Sequence, residues 1–208
     1  RVYDQLVRES VAELSEENIV MAPNVLSRLL RLSQMTGGYL RVDEQTTLVS
    51  KAKMGLLDET LDDLIEAGKK VVVFARFVPE IEAIVKMLEK KKTAHGLIYG
   101  ATPMDARGEM VESFQTDPAV KVFVAQVQTA GLGITLHAAD TAIFYSLDYS
   151  FANYDQCRAR IHRIGQKNKC TYIHLVARMT VDEKVLAALA EKKSLADQVV
   201  DNWRELLK

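Results

Sequence analysis

The chain has 208 residues, 48% of them hydrophobic and 26% charged, with a net charge of −1. That length suits one sizeable core or one domain with an appendage. The balanced charge excludes an overall basic field, so any contact with nucleic acid must come from a local patch. The apolar runs are too short for a membrane-spanning helix.

The chain opens on arginine, with no signal-peptide pattern, as expected for a piece of a longer protein. Its first fifty residues read as polar and helical. Leu26, Leu29, Leu30 and Leu32 to Met35 form a helix-period stripe stopped at Gly37-Gly38. Arg41 to Ser50 has no period and reads as a linker. From Lys53, the spacing of Leu56, Leu57, Leu61, Leu64 and Ile65 predicts an amphipathic helix ending at Gly68. Val71 to Ala75 is a β-branched run of the buried-strand type. A helix follows from Pro79 to Lys92, then a strand over Gly96 to Tyr99. Thr102-Pro103 is expected to open the next helix with a capping hydroxyl and a first-turn proline.

Further strands are expected at Val120 to Ala125, Thr141 to Tyr145 and Thr171 to Ala177. Thr180 to Glu183 has capping-box spacing and starts a C-terminal helix. A last helix is read from Ser194 to Leu207, with Trp203 as an apolar anchor. Strand–helix alternation with continuous apolar strands predicts an α/β fold: a parallel sheet with helices on both faces, its ligands beyond the strands' carboxyl ends. The chain is divided at residue 50, with a helical segment and linker over 1–50 and the lobe over 51–208.

Two cysteines, Cys157 and Cys170, lack metal-site spacing and read as reduced packing thiols. The four histidines are scattered, and no protein-ligated metal is expected. The stretch from Gln156 to Lys169 contains no acid. If it is helical, Gln156, Arg160 and Arg163 fall at i, i+4 and i+7 on one face, with Arg158 elsewhere and Gly165 as the stop. Two guanidinium groups beside a carboxamide suit a phosphate bearing spread negative charge, whereas a solvated basic face is the plain alternative. After the third strand, Thr129, Gly131 and Gly133 make a small-residue turn whose backbone N–H groups could cradle a phosphate. There is no GxxxxGK[ST] loop in the sequence.

Together these segments resemble the C-terminal RecA-like lobe of Swi/Snf-type DNA translocases, within the superfamily 2 helicases. KKVVVFARF (69–77) looks like the family's fourth motif, and IYGATPMDAR (98–107) matches the strand, hydroxyl and arginine after it. QVQTAGLGITLHAAD (126–140) is similar to motif V and QCRARIHRIGQ (156–166) to motif VI. Residues 180–200 resemble the helical brace after the lobe. Motif V departs from the family pattern at Ala130 and Thr135.

The resemblance implies that Arg163 is an arginine finger and Arg160 its companion, facing ATP and Mg2+ held mainly by an N-terminal RecA-like lobe. It implies that Gln156, Gly131 and Gly133 serve the nucleotide side. Thr129, Thr102 and Arg107 become candidates for the backbone of double-stranded DNA; for Thr102 a plain helix cap is the competing role. The expected function is ATP-driven translocation on duplex DNA, in bacterial or phage cytoplasm or in a eukaryotic nucleus. This fragment alone is expected to be inactive. A strand-separating helicase lobe and a non-catalytic DNA- or protein-binding module are the alternatives.

Overall fold

The computed structural model describes residues 3–9, 22–42 and 45–192. A helix over 3–9 (α1) is followed by α2 (Ala22–Thr36) and by an antiparallel hairpin of β1 (Tyr39–Val42) and β2 (Gln45–Leu48). The alternating part then runs α3 (Ala52–Glu66), β3 (Val71–Ala75), α4 (Val78–Lys90), β4 (His95–Ile98), α5 (Met104–Thr116) and β5 (Val122–Gln126). A short 3-10 helix (Val127–Leu132), β6 (Thr141–Phe144), α6 (Phe151–Ile161), β7 (Thr171–His174) and α7 (Val181–Ala190) complete it.

Strands β3 to β7 form one parallel sheet in the order β4-β5-β3-β6-β7. Side chains along a strand alternate between its two faces, and here both faces are apolar. Val72, Phe74, Phe123, Ala125 and Phe144 pack with Val25, Leu29 and Leu32 of α2 and with residues of α5, α6 and α7. Val71, Val73, Val122, Val124 and Ile143 pack with Leu57 and Leu61 of α3 and Ile81, Ile84 and Leu88 of α4. Two-sided burial is why the strands read as unbroken apolar runs. Across β3, β6 and β7, Phe74 stacks on Phe144 at 5.3 Å and Phe144 on His174 at 5.1 Å.

The helix before the sheet is fastened to it by a buried ion pair. Lys53 at the start of α3 donates to Asp182 in the first turn of α7 at 2.6 Å, and Thr36 at the end of α2 donates to the same carboxylate at 2.7 Å. The 177 amide adds a third bond at 3.0 Å. Asp182 is therefore a buried knot between three helices.

Some boundaries differ from the sequence expectation. The stretch read as a linker holds the β1–β2 hairpin, which pairs Tyr39 with Leu48. Every residue of β2 is exposed, so no alternation marks it. Thr102 does not cap α5, whose N-cap position is Pro103. The helix expected over 194–207, with Trp203, lies outside the described residues. Lys91 does more than end α4: its ammonium reaches Asp58 and Asp62 of α3, both at 2.5 Å.

Candidate nucleotide and nucleic-acid interface

The carboxyl end of β5 runs directly into the 3-10 helix, and Thr129 closes that turn by donating to the Gln126 carbonyl at 2.7 Å. The 3-10 helix carries Gly131 in its backbone and ends at Gly133, which has φ 73°. An L side chain is strained in that conformation, so glycine is what lets the chain turn away here. Gln126 reaches sideways along the rim: its Oε1 accepts from the Gly100 amide at 2.9 Å and its Nε2 donates to the Arg76 carbonyl at 3.3 Å.

Helix α6 packs against this segment. Ser150 caps it by accepting from the Asn153 amide, and the buried Asp148 holds the Ser150 amide at 2.9 Å. Cys157 and Ile161 are fully buried and anchor the helix. Burial pushes the Cys157 thiol well above its usual range, which makes it a packing group rather than a nucleophile.

The helix ends at Ile161, so Arg163 is not on it; it sits in the turn that follows. His162 leaves helical geometry with ψ 80°, and the helix stops two residues short of Arg163. The two arginines converge all the same. Arg160 Nη1 donates to the Ile134 carbonyl at 3.4 Å and Arg163 Nη1 to the Gly133 carbonyl at 3.3 Å. Neighbouring carbonyls at the exit of the 3-10 helix thus receive both guanidinium groups.

Neither arginine has a carboxylate partner among the described residues. Burial first, and the nearby Arg163 charge second, hold Arg160 below the usual guanidinium range. Arg160 Nε is buried without an acceptor. Two like charges held close, with donors left over, favour an incoming anion. Arg158 is different: it lies over Tyr172 at 4.9 Å and near Asp155 at 3.6 Å.

The turn bearing Arg163 is tightly held. Gly165 has φ 103°, and a Cβ there would stand 2.5 Å from the His137 ring. That ring is itself bonded to Gln115 at 2.6 Å. Gln166 Nε2 lies 2.7 Å from the Ala139 carbonyl and 3.1 Å from that of His137. The Leu136 amide donates to the Arg160 carbonyl at 2.9 Å.

The remaining candidates are placed less evenly. Gln156 is exposed on α6. Thr102 is only 6% exposed, and its hydroxyl accepts from the Tyr99 amide at 3.0 Å, within its own turn. Arg107 Nε donates to the Thr102 carbonyl at 3.1 Å, which ties α5 to that turn. Two rim residues were not singled out in the sequence: Gln126, and Arg76 at the end of β3. Arg76 lies 4.1 Å over the Tyr149 ring, with Nη1 buried and unpaired. Only the sheet order brings them beside the other loops.

A five-stranded parallel sheet of this order, covered by helices on both faces, is the RecA-like fold of a helicase-type lobe. Residues 52–165 match the model of the helicase conserved C-terminal domain, and the chain belongs to that family, as a Swi/Snf-type C-terminal lobe. It is 28% identical over 210 residues to the chromatin-remodeling ATPase INO80 of Candida albicans, covering 97% of this chain and 15% of that protein. The chain thus spans well under a fifth of that curated relative. The Sulfolobus solfataricus SWI2/SNF2 ATPase C-terminal domain superposes with a TM-score of 0.69 at 25% identity, covering 97% of this chain and 85% of that one. The SWI2/SNF2 ATPase core of the same organism, in complex with double-stranded DNA, gives a TM-score of 0.73 at 25% identity, covering 98% and 43%.

Proposed function

We propose that this lobe is the second half of a DNA-dependent ATPase that moves along double-stranded DNA, and that Arg163 and Arg160 complete a nucleotide site on the other lobe. The observation that carries this reading is the convergence on the Gly133 and Ile134 carbonyls of two guanidinium groups with no carboxylate partner among the described residues. ATP, bound with Mg2+ mainly by the N-terminal lobe, would supply the phosphoryl group that passes to water. Arg163, exposed and held through one nitrogen, offsets the charge that grows on that group. Arg160, anchored deeper, fixes the turn and adds a second positive charge. In phosphoryl-transfer enzymes such arginines contribute about 10³ to 10⁵ in rate.

Gln156 on the exposed side of α6, with the Gly131 and Gly133 backbone, would face the nucleotide. Thr129 and Arg107 would meet the DNA backbone. Thr102 would serve them through its turn, because its hydroxyl is already engaged. Contacts mainly to phosphate give little sequence preference and a steep salt dependence. The dsDNA complex of a structural neighbour supports the duplex as substrate. The compartment would be whichever holds that DNA, a bacterial cytoplasm or a nucleus.

The test has two arms in the full-length protein. Arg163→Ala should nearly abolish DNA-stimulated ATP hydrolysis while nucleotide binding survives. The unaltered protein should displace a third strand from a triplex without unwinding a plain duplex. Near-normal turnover in the variant would sink the finger assignment; efficient unwinding would make the lobe part of a strand-separating helicase. The 208-residue chain alone should bind DNA weakly without hydrolysing ATP, and robust hydrolysis by it would contradict the two-lobe reading.

A further inference from the structure

The turn that carries Arg163 rests against an imidazole ring, and that ring is held from its other side by α5. His137 lies after the 3-10 helix and is half-buried, as is Gln115 near the end of α5. The two edges of the ring have different neighbours. The Cδ2–Nε2 edge faces Gly165, where a Cβ would stand 2.5 Å from Cδ2 and 2.7 Å from Nε2. The Nδ1 edge faces Gln115, whose Nε2 is 2.6 Å away.

Hydrogen-bond chemistry fixes where the ring carries its proton. The Ala138 amide can only donate, and its acceptor at 2.8 Å is Gln115 Oε1. The Gln115 side chain is thereby oriented with its NH2 group toward the ring. That group can only donate, so Nδ1 accepts and the neutral ring bears its proton on Nε2. The other tautomer would set two donors head to head at 2.6 Å. Gln115 therefore sets both the tautomer and the orientation of the ring under Gly165.

The turn is gripped beyond Gly165 as well. The Gln166 amide donates to the Arg163 carbonyl at 2.9 Å, and Gln166 Nε2 reaches the His137 carbonyl at 3.1 Å. The Arg163 guanidinium, by contrast, makes one hydrogen bond among the described residues, at 3.3 Å. Its aim thus depends on the backbone that carries it. A displacement of about 1 Å at a reacting group can cost about a hundredfold in rate. We propose that His137 and Gln115 are positioning residues for phosphoryl transfer: the ring, oriented from α5, sets the place of the Arg163 turn. The inference rests on the reading of Arg163 as a finger.

The test combines turnover with a spectroscopic signature. In the full-length protein with saturating duplex DNA, His137→Ala should lower kcat about 10- to 100-fold and leave KM for ATP within about twofold. In an Arg163→Ala background the same change should lower the residual turnover less than about twofold, because the group it positions is gone. Gln115→Glu, close to isosteric, puts an oxygen opposite Nδ1; it should lower kcat and draw the ring proton to Nδ1. Nitrogen NMR of the imidazole in the 208-residue chain reads this directly, with the proton on Nε2 in the unaltered chain. An inactive Arg163→Ala beside normal kcat in both positioning variants would overturn the proposal and leave the finger standing. An equal loss from His137→Ala with and without Arg163 would sever the link to that residue. A ring proton on Nδ1 in the unaltered chain would overturn the arrangement itself. Near-normal turnover of Arg163→Ala would remove the finger reading, and the proposal with it.

Discussion

Two places in this lobe hold cations, one buried and one at the surface, and they do so in opposite ways. At the junction of α2, α3 and α7, Lys53 is buried but fully matched: Asp182 takes its ammonium, and Thr36 and the 177 amide complete the carboxylate. At the exit of the 3-10 helix, Arg160 and Arg163 meet only backbone carbonyls among the described residues. A matched buried pair gives a fold its register, and removing one member strands a charge. An unmatched pair at a surface costs stability and leaves donors for something else. The contrast separates a structural charge from one waiting for a partner.

The sharpest break of that comparison is Asp182→Ala, which strands Lys53. Chemical denaturation of the chain should show a loss of about 3 to 5 kcal/mol. A loss below about 1 kcal/mol would mean that the junction is wet or relaxes easily. Gly165→Ala comes next. It puts a side chain at φ 103° and 2.5 Å from the His137 ring, so a loss of about 1 to 3 kcal/mol is expected. Unchanged stability would show that the turn bearing Arg163 is looser than its hydrogen bonds suggest.

Glu80 supplies a pH test of the same contrast. Burial, working against the Ser146 and Phe77 hydrogen bonds and the Lys53 charge, pushes its carboxyl up from 4.5 to about 7. A raised carboxyl pKa means that the folded state keeps a proton which the unfolded chain has released. Its contribution is therefore present in full below about pH 4.5 and lost as pH rises to about 7. Urea denaturation at several pH values should show that decline, and Glu80→Gln should flatten it. The smallest expected effect is that of Arg163→Ala on stability, within about 0.5 kcal/mol by thermal unfolding. A large loss would move Arg163 into the structural class with Lys53.

The sheet was legible because two-sided burial leaves unbroken runs; Val71 to Ala75 was read to the residue. The hairpin over 39–48 was not, because β2 is exposed throughout and carries no pattern. The arginine pair was legible as chemistry but not as geometry. Spacing alone continued the helix to Gly165, whereas α6 unwinds after Ile161 and brings Arg163 back to Gly133 by a turn. Thr102 showed capping chemistry, yet its hydroxyl bonds backward to the Tyr99 amide. Lys53 and Asp182 lie 129 positions apart, and local periodicity holds no trace of such a contact. Arg76 and Gln126 meet at the rim because β3 and β5 are neighbours, a strand order that chain order does not reveal.

The central claim is that these two guanidinium groups act on charge that develops during phosphoryl transfer. The most direct test is equilibrium binding of ADP, with and without aluminium fluoride, to the full-length protein and to Arg163→Ala in the presence of DNA. The account predicts similar ADP affinity in both, and affinity for the ADP–aluminium fluoride complex lowered about 10³-fold or more in the variant. Equal affinity of both proteins for that complex would contradict it.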